Sequence, residues 1–362
     1  MKIVRLTPGM DNVNFIKDPG MIPYILFKYF GYEGGVASYW EEGFTYLDKE
    51  VKGLEFYSFK KVTGKPTLDA IIFLINNAKK IDVLIVYFMA RQSFLWILTY
   101  KILNRRGKVY LKGDACEKNL PEFFRKEFKY SVIKKCMTKI MIKMSALTSI
   151  ETKKLQNFIN KEHGIQIEYI PNGFYDYGIR KDIDYKYKNN TICTVGRIGT
   201  SQKASEILLE AFALASDKII DWQLKMIGSI EDDFKQYIDE YFSRYPELKD
   251  KVIFTGPIYD REKLDDEYAK SKIFCLPSRW ESFGLVYLEA LKNGCYIITT
   301  DIPPANDVTD NQKYGKIFPI DDYKKLSEII IELVNNEHII EKAHKEAQNF
   351  VYNNFYWVNI CR

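Results

Sequence analysis

Histidine is scarce. His163, His338 and His344 are the only three in 362 residues, too few and too scattered for a metal centre built on several imidazoles. Their helical or turn surroundings fit satisfied or surface residues better than a catalytic triad. The six cysteines, Cys116, Cys136, Cys193, Cys275, Cys295 and Cys361, form no C-x-x-C pair. That argues against a zinc site or a disulfide framework and for reduced thiols. No stretch approaches the ~18 consecutive apolar residues of a membrane-spanning helix. The start, MKIVRLTPGMDN, passes directly into polar residues without the apolar core of a secretion signal. These absences predict a cytoplasmic protein. Neither G-x-G-x-x-G nor G-x-x-x-x-G-K-[ST] occurs, which disfavours a nicotinamide dinucleotide and excludes a P-loop. There is no internal repeat and no low-complexity tract.

What is present is a globular mix, 46% apolar and 28% charged, long enough for two domains of ordinary size. The net charge of +5 hides an asymmetry: residues 1–180 carry 29 Lys and Arg against 18 Asp and Glu, whereas residues 181–362 carry 24 against 30. A basic first half suits an anionic partner; an AT-biased genome rich in lysine codons explains it equally well.

Short β-branched runs alternate with longer amphipathic stretches. The expected strands are 81–88, 107–112, 146–150, 166–170, 191–195, 222–227, 251–255, 272–276 and 295–300, several of them apolar throughout, as in strands covered on both faces. Helical stretches such as 203–215 and 284–293 lie between them. This alternation predicts an α/β protein with parallel sheets. The polar, aromatic segment 174–190 reads as a linker after the Pro171-Asn172-Gly173 turn. The expected architecture is two Rossmann-like domains facing a central cleft, with ligands beyond the carboxyl ends of the strands.

Three segments carry candidate chemistry. In Leu276-Pro-Ser-Arg-Trp-Glu-Ser-Phe-Gly-Leu-Val-Tyr-Leu-Glu289, a strand runs into a loop and then a helix opening near Phe283–Gly284. Free amides and the positive dipole end at such a start suit a phosphate, and Gly284 permits close approach. Glu281 before the helix and Glu289 about two turns inside it could accept bonds from sugar hydroxyls, or serve simply as acids that favour the dipole. Gly196-Arg197 ends another strand, with Lys203 heading the next helix. Arginine and lysine there fit a diphosphate, or a solvated pair with no ligand. Lys17 to Pro23 opens a helix after the first strand, where Gly20 could admit a phosphate. The D-x-D of Asp182 and Asp184 sits in the linker rather than at a strand end, so a metal role is disfavoured.

Taken together these pieces resemble the retaining glycosyltransferases of family four, with the GT-B fold, of the bacterial polysaccharide-biosynthesis type. The resemblance rests on Val195-Gly196-Arg197 with Lys203, Phe254-Thr255-Gly256, Pro277-Ser278 with Glu281 and Gly284, Glu289 and Gly294, over about residues 168–302, with Ile170-Pro-Asn-Gly173 as the turn ending the first domain. It implies an N-terminal acceptor domain over 1–173 joined by a helix crossing back over about 346–362, a linker over 174–190, and a nucleotide-sugar domain over 191–345. Glu289 would bind the ribose. Glu281, with the amides of Phe283, Gly284 and Leu285, would hold the donor hexose and distal phosphate, and Gly196 would open the turn beneath them. Arg197 and Lys203 would neutralise the departing diphosphate in place of a metal. Many members carry an N-domain histidine near the donor sugar. None precedes His163 here, and Asp114, in Lys112-Gly113-Asp114, falls about where it would stand.

The implied reaction moves a hexose from a nucleotide-diphosphate sugar, a UDP-sugar first among them, to a glycan or lipid-linked acceptor by front-face substitution, with no cofactor and no metal. No nucleic-acid partner is expected. Two alternatives stand beside it: a non-catalytic GT-B subunit partnering another transferase, and a nucleotide-sugar epimerase of the same fold. Residues 121–145 add seven Lys and Arg against two Glu, with Phe124, Phe128, Val132, Cys136, Ile140 and Met144 recurring every four. This stretch is read either as a peripheral contact with anionic membrane or as a sheet-covering helix with its lysines in water.

Overall fold

The computed structural model describes residues 1–116, 120 and 132–362. It divides into two units, one comprising Met1–Tyr175 and Tyr356–Arg362 and the other Asp176–Phe355.

The first unit is a parallel sheet of β1 (Lys2–Leu6), β2 (Glu33–Tyr39), β3 (Glu55–Phe59), β4 (Val83–Tyr87), β5 (Lys108–Lys112), β6 (Leu147–Ile150) and β7 (Glu168–Tyr169), in the order β3-β2-β1-β4-β5-β6-β7. Strand periodicity places Val4, Leu6, Leu84, Val86, Val109 and Leu111 in one core with Leu74, Trp96, Ile97 and Tyr100 of the crossover helices Pro66–Asn77 and Arg91–Leu103. The order reverses between β1 and β4, which is where an open parallel sheet leaves a crevice beyond its carboxyl edge.

The second unit repeats the plan with β8 (Asn189–Val195), β9 (Gln223–Ile227), β10 (Val252–Gly256), β11 (Ser271–Leu276), β12 (Tyr296–Thr300) and β13 (Gly315–Phe318), in the order β10-β9-β8-β11-β12-β13. All pairings are parallel. The central strand β11 is buried at all six residues. Here the order reverses between β8 and β11.

All nine expected strands have counterparts in β4 to β12, and β1 is the first strand expected before Lys17, whereas β2, β3 and β13 go beyond the expectation. The expected linker differs from what is observed. From Asp176 onward it belongs to the second unit: the Lys188 ammonium donates to the carbonyls of Ser271, Asn293 and Ala269 at 2.7, 2.8 and 3.1 Å, and Tyr185 donates to Glu337 at 3.0 Å. The chain rejoins the first unit at Tyr356 rather than near 346, because helix His338–Phe355 packs on helix Leu285–Lys292 along its length. The basic stretch 121–145 is described only from Val132, as helix Val132–Met144; its part over 121–131 lies outside the described residues.

Candidate active site

The two loops at the reversal of the second sheet are laced together. The loop after β8 holds Gly196 to Ala204, and the loop after β11 holds Pro277 to Gly284. Arg279 joins them: its backbone amide donates to Gln202 O at 2.8 Å and its guanidinium to Ser201 O at 2.7 Å, Glu206 at 2.6 Å and Asp321 at 2.6 Å. Gln202 answers by donating to Trp280 O at 3.0 Å. Within this frame Lys203 and Glu281 meet, Nζ to Oε1, at 2.6 Å, and the Ser278 hydroxyl donates to the same oxygen at 2.7 Å. Both side chains are mostly buried, so the pair is more than a surface contact. The Lys203 stem lies over Gly196, whose missing Cβ leaves the room it needs. Gly228 approaches the same turn so closely that a Cβ would strike Gly196 O. Arg197 is exposed and has no ion-pair partner among the described residues.

Gly284 caps the helix Leu285–Lys292 at φ 84°, a left-handed conformation that favours glycine, with no side-chain cap. The first amides of that helix are therefore left for solvent or a ligand. Phe283 is buried and fixes the loop against Phe355. Glu289 stands one helical turn after Leu285, not two, because the helix opens at Leu285. Its carboxylate accepts from the Tyr268 hydroxyl at 3.1 Å. Burial raises its pKa, against the opposing pull of Lys292 and Arg261. Gly196, Arg197, Lys203, Glu281, Phe283, Gly284, Leu285 and Glu289 thus share one unit and the two loops and helix start at its sheet reversal. Arg279, which sequence reasoning missed, carried no motif signal. Its role comes from tying the Ser201 carbonyl to the carboxylates of Glu206 and Asp321.

Asp114 and Gly20 lie in the first unit. Asp114 follows β5 at φ 44°, beside a buried cluster at the carboxyl edge. Lys112 sits 3.2 Å from Glu151 and 3.9 Å from Asp18, and the Arg5 guanidinium lies 3.6 Å over the Tyr87 ring. Burial, reinforced by Glu151 and Asp18, pushes the Asp114 carboxyl up to about 7 despite Lys112 and Arg5. Lys112 is held above its ordinary value: burial opposes its charge, but Glu151 and Asp18 outweigh it. Gly20 is placed otherwise than expected. It lies inside helix Asp18–Phe30, and a Cβ there would strike the Phe15 carbonyl oxygen at 2.3 Å. The missing side chain is taken up by Phe15 backbone, and the buried acid Asp18 at the helix start opposes a phosphate.

The D-x-D carboxylates point to separate partners, Asp182 to Lys345 and Asp184 to Lys186 and its own turn. His344 is buried with its two ring nitrogens against the carbonyls of Gly294 and Ile183, and its ring occupies the space a Gly294 side chain would need.

Residues 178–354 match the family model described as glycosyl transferases group 1. The chain carries a group 1 glycosyltransferase domain. That domain includes both loops of the site and the helix start between Phe283 and Glu289. Over 167 residues the chain is 29% identical to the capsular polysaccharide biosynthesis glycosyltransferase CapM of Staphylococcus aureus, covering 46% of this chain and 42% of that protein. The match to an uncharacterized glycosyltransferase of Haemophilus influenzae is 26% over 155 residues and 42% of each chain. The matched stretch thus spans about two-fifths of these relatives' length. Among solved structures, a glycosyltransferase from Rickettsia africae covers all of this chain and 96% of its own at a TM-score of 0.77 and 19% identity. The UDP complex of Anabaena Alr3699/HepE covers all of this chain and 97% of its own at 0.73 and 16%. At such identities the likeness is one of fold, and that fold is GT-B: a group 1 domain following a second parallel-sheet unit.

Proposed function

We propose that the protein is a retaining glycosyltransferase that moves a hexose from a nucleotide-diphosphate sugar to a glycan or lipid-linked acceptor in surface polysaccharide synthesis. The observation that carries this is the Lys203–Glu281–Ser278 contact at the reversal of a parallel sheet, beside an unpaired Arg197 and an uncapped helix start, inside the group 1 domain. In this reading the second unit takes the donor and the first the acceptor. Arg197 and the amides of Leu285 and its neighbours meet the diphosphate. Lys203 is held in place by Glu281 until the donor arrives, and its ammonium then turns to the phosphate while Glu281 takes a hexose hydroxyl. Glu289 takes the ribose. As the bond from the anomeric carbon to the phosphate oxygen breaks, negative charge grows on the diphosphate, and Arg197 and Lys203 stabilise it where water would have to reorganise. The acceptor hydroxyl attacks from the same face and its proton passes to the departing phosphate oxygen, so configuration is retained and no protein nucleophile is used.

The cationic pair supports a metal-independent reaction. The UDP named in the HepE complex and the capsular function named for CapM support UDP as the nucleotide and a surface glycan as the product. Calorimetry with UDP, followed by hydrolysis assays over a panel of UDP-sugars with and without EDTA, tests the reading. UDP binding and hydrolysis that survive EDTA are expected. No binding of any nucleoside diphosphate would refute the reading, and activity lost to EDTA and restored by Mg²⁺ would refute its metal-free form.

A further inference from the structure

The sheet of the first unit is covered unequally on its two faces. From β3 onward the strand order advances in one direction, so right-handed crossovers put their helices on one side. Helices Pro66–Asn77 and Arg91–Leu103 accordingly pack over Leu84, Val86 and Leu111. The alternate residues of β4 and β5, among them Ile85 and Tyr110, face the other way. That face is left to helix Asp18–Phe30 and the four-residue return helix Trp357–Ile360, which pack on each other.

Their cover is incomplete. Between the two helices and the strands lies a groove of about 320 Å³, within the size range of small-molecule pockets. Its floor includes Ile3, Ile85 and Tyr110, and its walls Leu26, Trp357 and Ile360. It opens at the amino edge of the sheet, where Lys108 and Ala146 line it and are exposed. Asp114 follows the opposite end of β5, so the groove is distinct from the carboxyl edge of the sheet.

Two observations indicate what fills it. Trp357 is fully buried, and its indole N–H has no acceptor among the described residues. A buried tryptophan ordinarily finds one, and an oxygen atom of an occupant would supply it. The mouth, in turn, is cationic. Lys108 lines it, and no carboxylate is among the lining residues. Exposed Lys79 and Lys80 lead into β4, Arg105 and Arg106 into β5, and Lys143 toward β6. Two acids, Glu33 and Asp82, adjoin lining residues in sequence, and the Asp82 carboxylate accepts from the Lys2 amide at 2.7 Å. A sugar or a nucleotide needs several convergent donors and acceptors. Aliphatic walls with one orphan donor, and a cation at the mouth, match a hydrocarbon chain that ends in an oxyanion.

We propose that this groove binds one lipid acyl chain, with its anionic head at Lys108. The site is independent of the transferase reading.

The test uses the full-length protein and its Ala146→Phe, Lys108→Glu and Trp357→Phe variants. Each is titrated with 12-bromododecanoate below its micelle concentration, the bromine quenching tryptophan fluorescence on contact, and with acetate as the head alone. Saturable quenching of the parent by the brominated acid is expected, with no response to acetate. Ala146→Phe narrows the mouth at an exposed position and should weaken binding about tenfold or more. Lys108→Glu should weaken it by about tenfold. Both should melt close to the parent. Trp357→Phe should lose most of the quench while calorimetry still detects the acid. The site is overturned if the parent shows no saturable binding, if Ala146→Phe and Lys108→Glu both bind as the parent does, or if the full quench survives in Trp357→Phe. A parent that dimerises in sedimentation, with Ala146→Phe monomeric, assigns the groove to a second copy and overturns it as well. Binding in the expected pattern by a protein that takes no nucleoside diphosphate upholds the groove and refutes the transferase reading instead.

Discussion

Arg197 and Glu289 meet the same donor in the proposed reaction but at different moments. The arginine gains most as charge builds on the leaving diphosphate, so Arg197→Ala should lower kcat by ~10²–10³. The glutamate's ribose contact is as strong before the transition state as within it. Glu289→Ala should therefore raise the donor KM with a smaller change in kcat. Steady-state kinetics on the two variants distinguishes the roles, and an Arg197→Ala effect confined to KM would remove its role at the leaving group. Asp114 yields a different kind of test. Its carboxyl titrates at about 7 in the folded chain, against ~4 for an unperturbed aspartate. Between those values the folded protein holds a proton that the unfolded chain has released. Asp114 therefore makes stability fall as pH rises across that window and level off above it. Urea midpoints of the parent should drop relative to Asp114→Asn between pH 5 and pH 8, and a difference constant with pH would contradict the assignment. Asparagine also tolerates the φ of 44° at this position.

The helix Leu285–Lys292 depends on its cap. At φ 84° a side chain at position 284 is strained, and a Cβ would lie 2.7 Å from the Tyr287 ring. Gly284→Ala should cost about 1–2 kcal/mol, read from denaturant midpoints, and weaken UDP binding by misaligning the first amides. The sequence made this element legible because proline, glycine and paired glutamates punctuate it, and it made β8 legible through its β-branched Thr191, Ile192, Thr194 and Val195 and β11 through its apolar run Ile273-Phe-Cys-Leu276. It concealed β2, whose Glu33-Gly-Gly-Val-Ala-Ser-Tyr39 has little strand propensity. The reason is packing: a Cβ at Gly34 would strike Pro23 O at 2.1 Å and one at Gly35 the Tyr57 ring at 2.4 Å. β3 (Glu55-Phe-Tyr-Ser-Phe59) and β13 (Gly315-Lys-Ile-Phe318) are edge strands interrupted by polar or glycine residues, so neither carries the apolar run that marks the inner strands. The candidate-site residues were readable one by one, but not the ion pair that joins Lys203 to Glu281. Nor was Arg279, whose partners Glu206, Asp321 and the Ser201 carbonyl lie far from it in sequence.

Across the whole chain, charge is divided: the first 180 residues carry an excess of positive charge and the rest an excess of negative. None of the helices among the described residues is long and apolar enough to cross a membrane. Helix Val132–Met144 nonetheless turns Ile133 and Ile140 outward beside Lys139 and Lys143. If this face meets anionic lipid, the protein should sediment with phosphatidylglycerol vesicles at low salt and be released as salt rises. Lys139→Glu combined with Lys143→Glu should abolish that without altering UDP affinity; a parent that ignores such vesicles would leave the helix as a sheet cover. Connectivity has its own consequence. The chain leaves the first unit after Tyr175 and returns at Tyr356, and the two crossings are stitched side by side, Phe174 bridging Tyr356 and the Trp357 amide donating to Phe174 O at 3.0 Å. Topologically the second unit is an insert whose two ends meet at one seam. Such a segment is exchangeable: a gene could keep its first unit and acquire a new second unit by replacing one contiguous stretch, with both junctions falling at a single point of the fold.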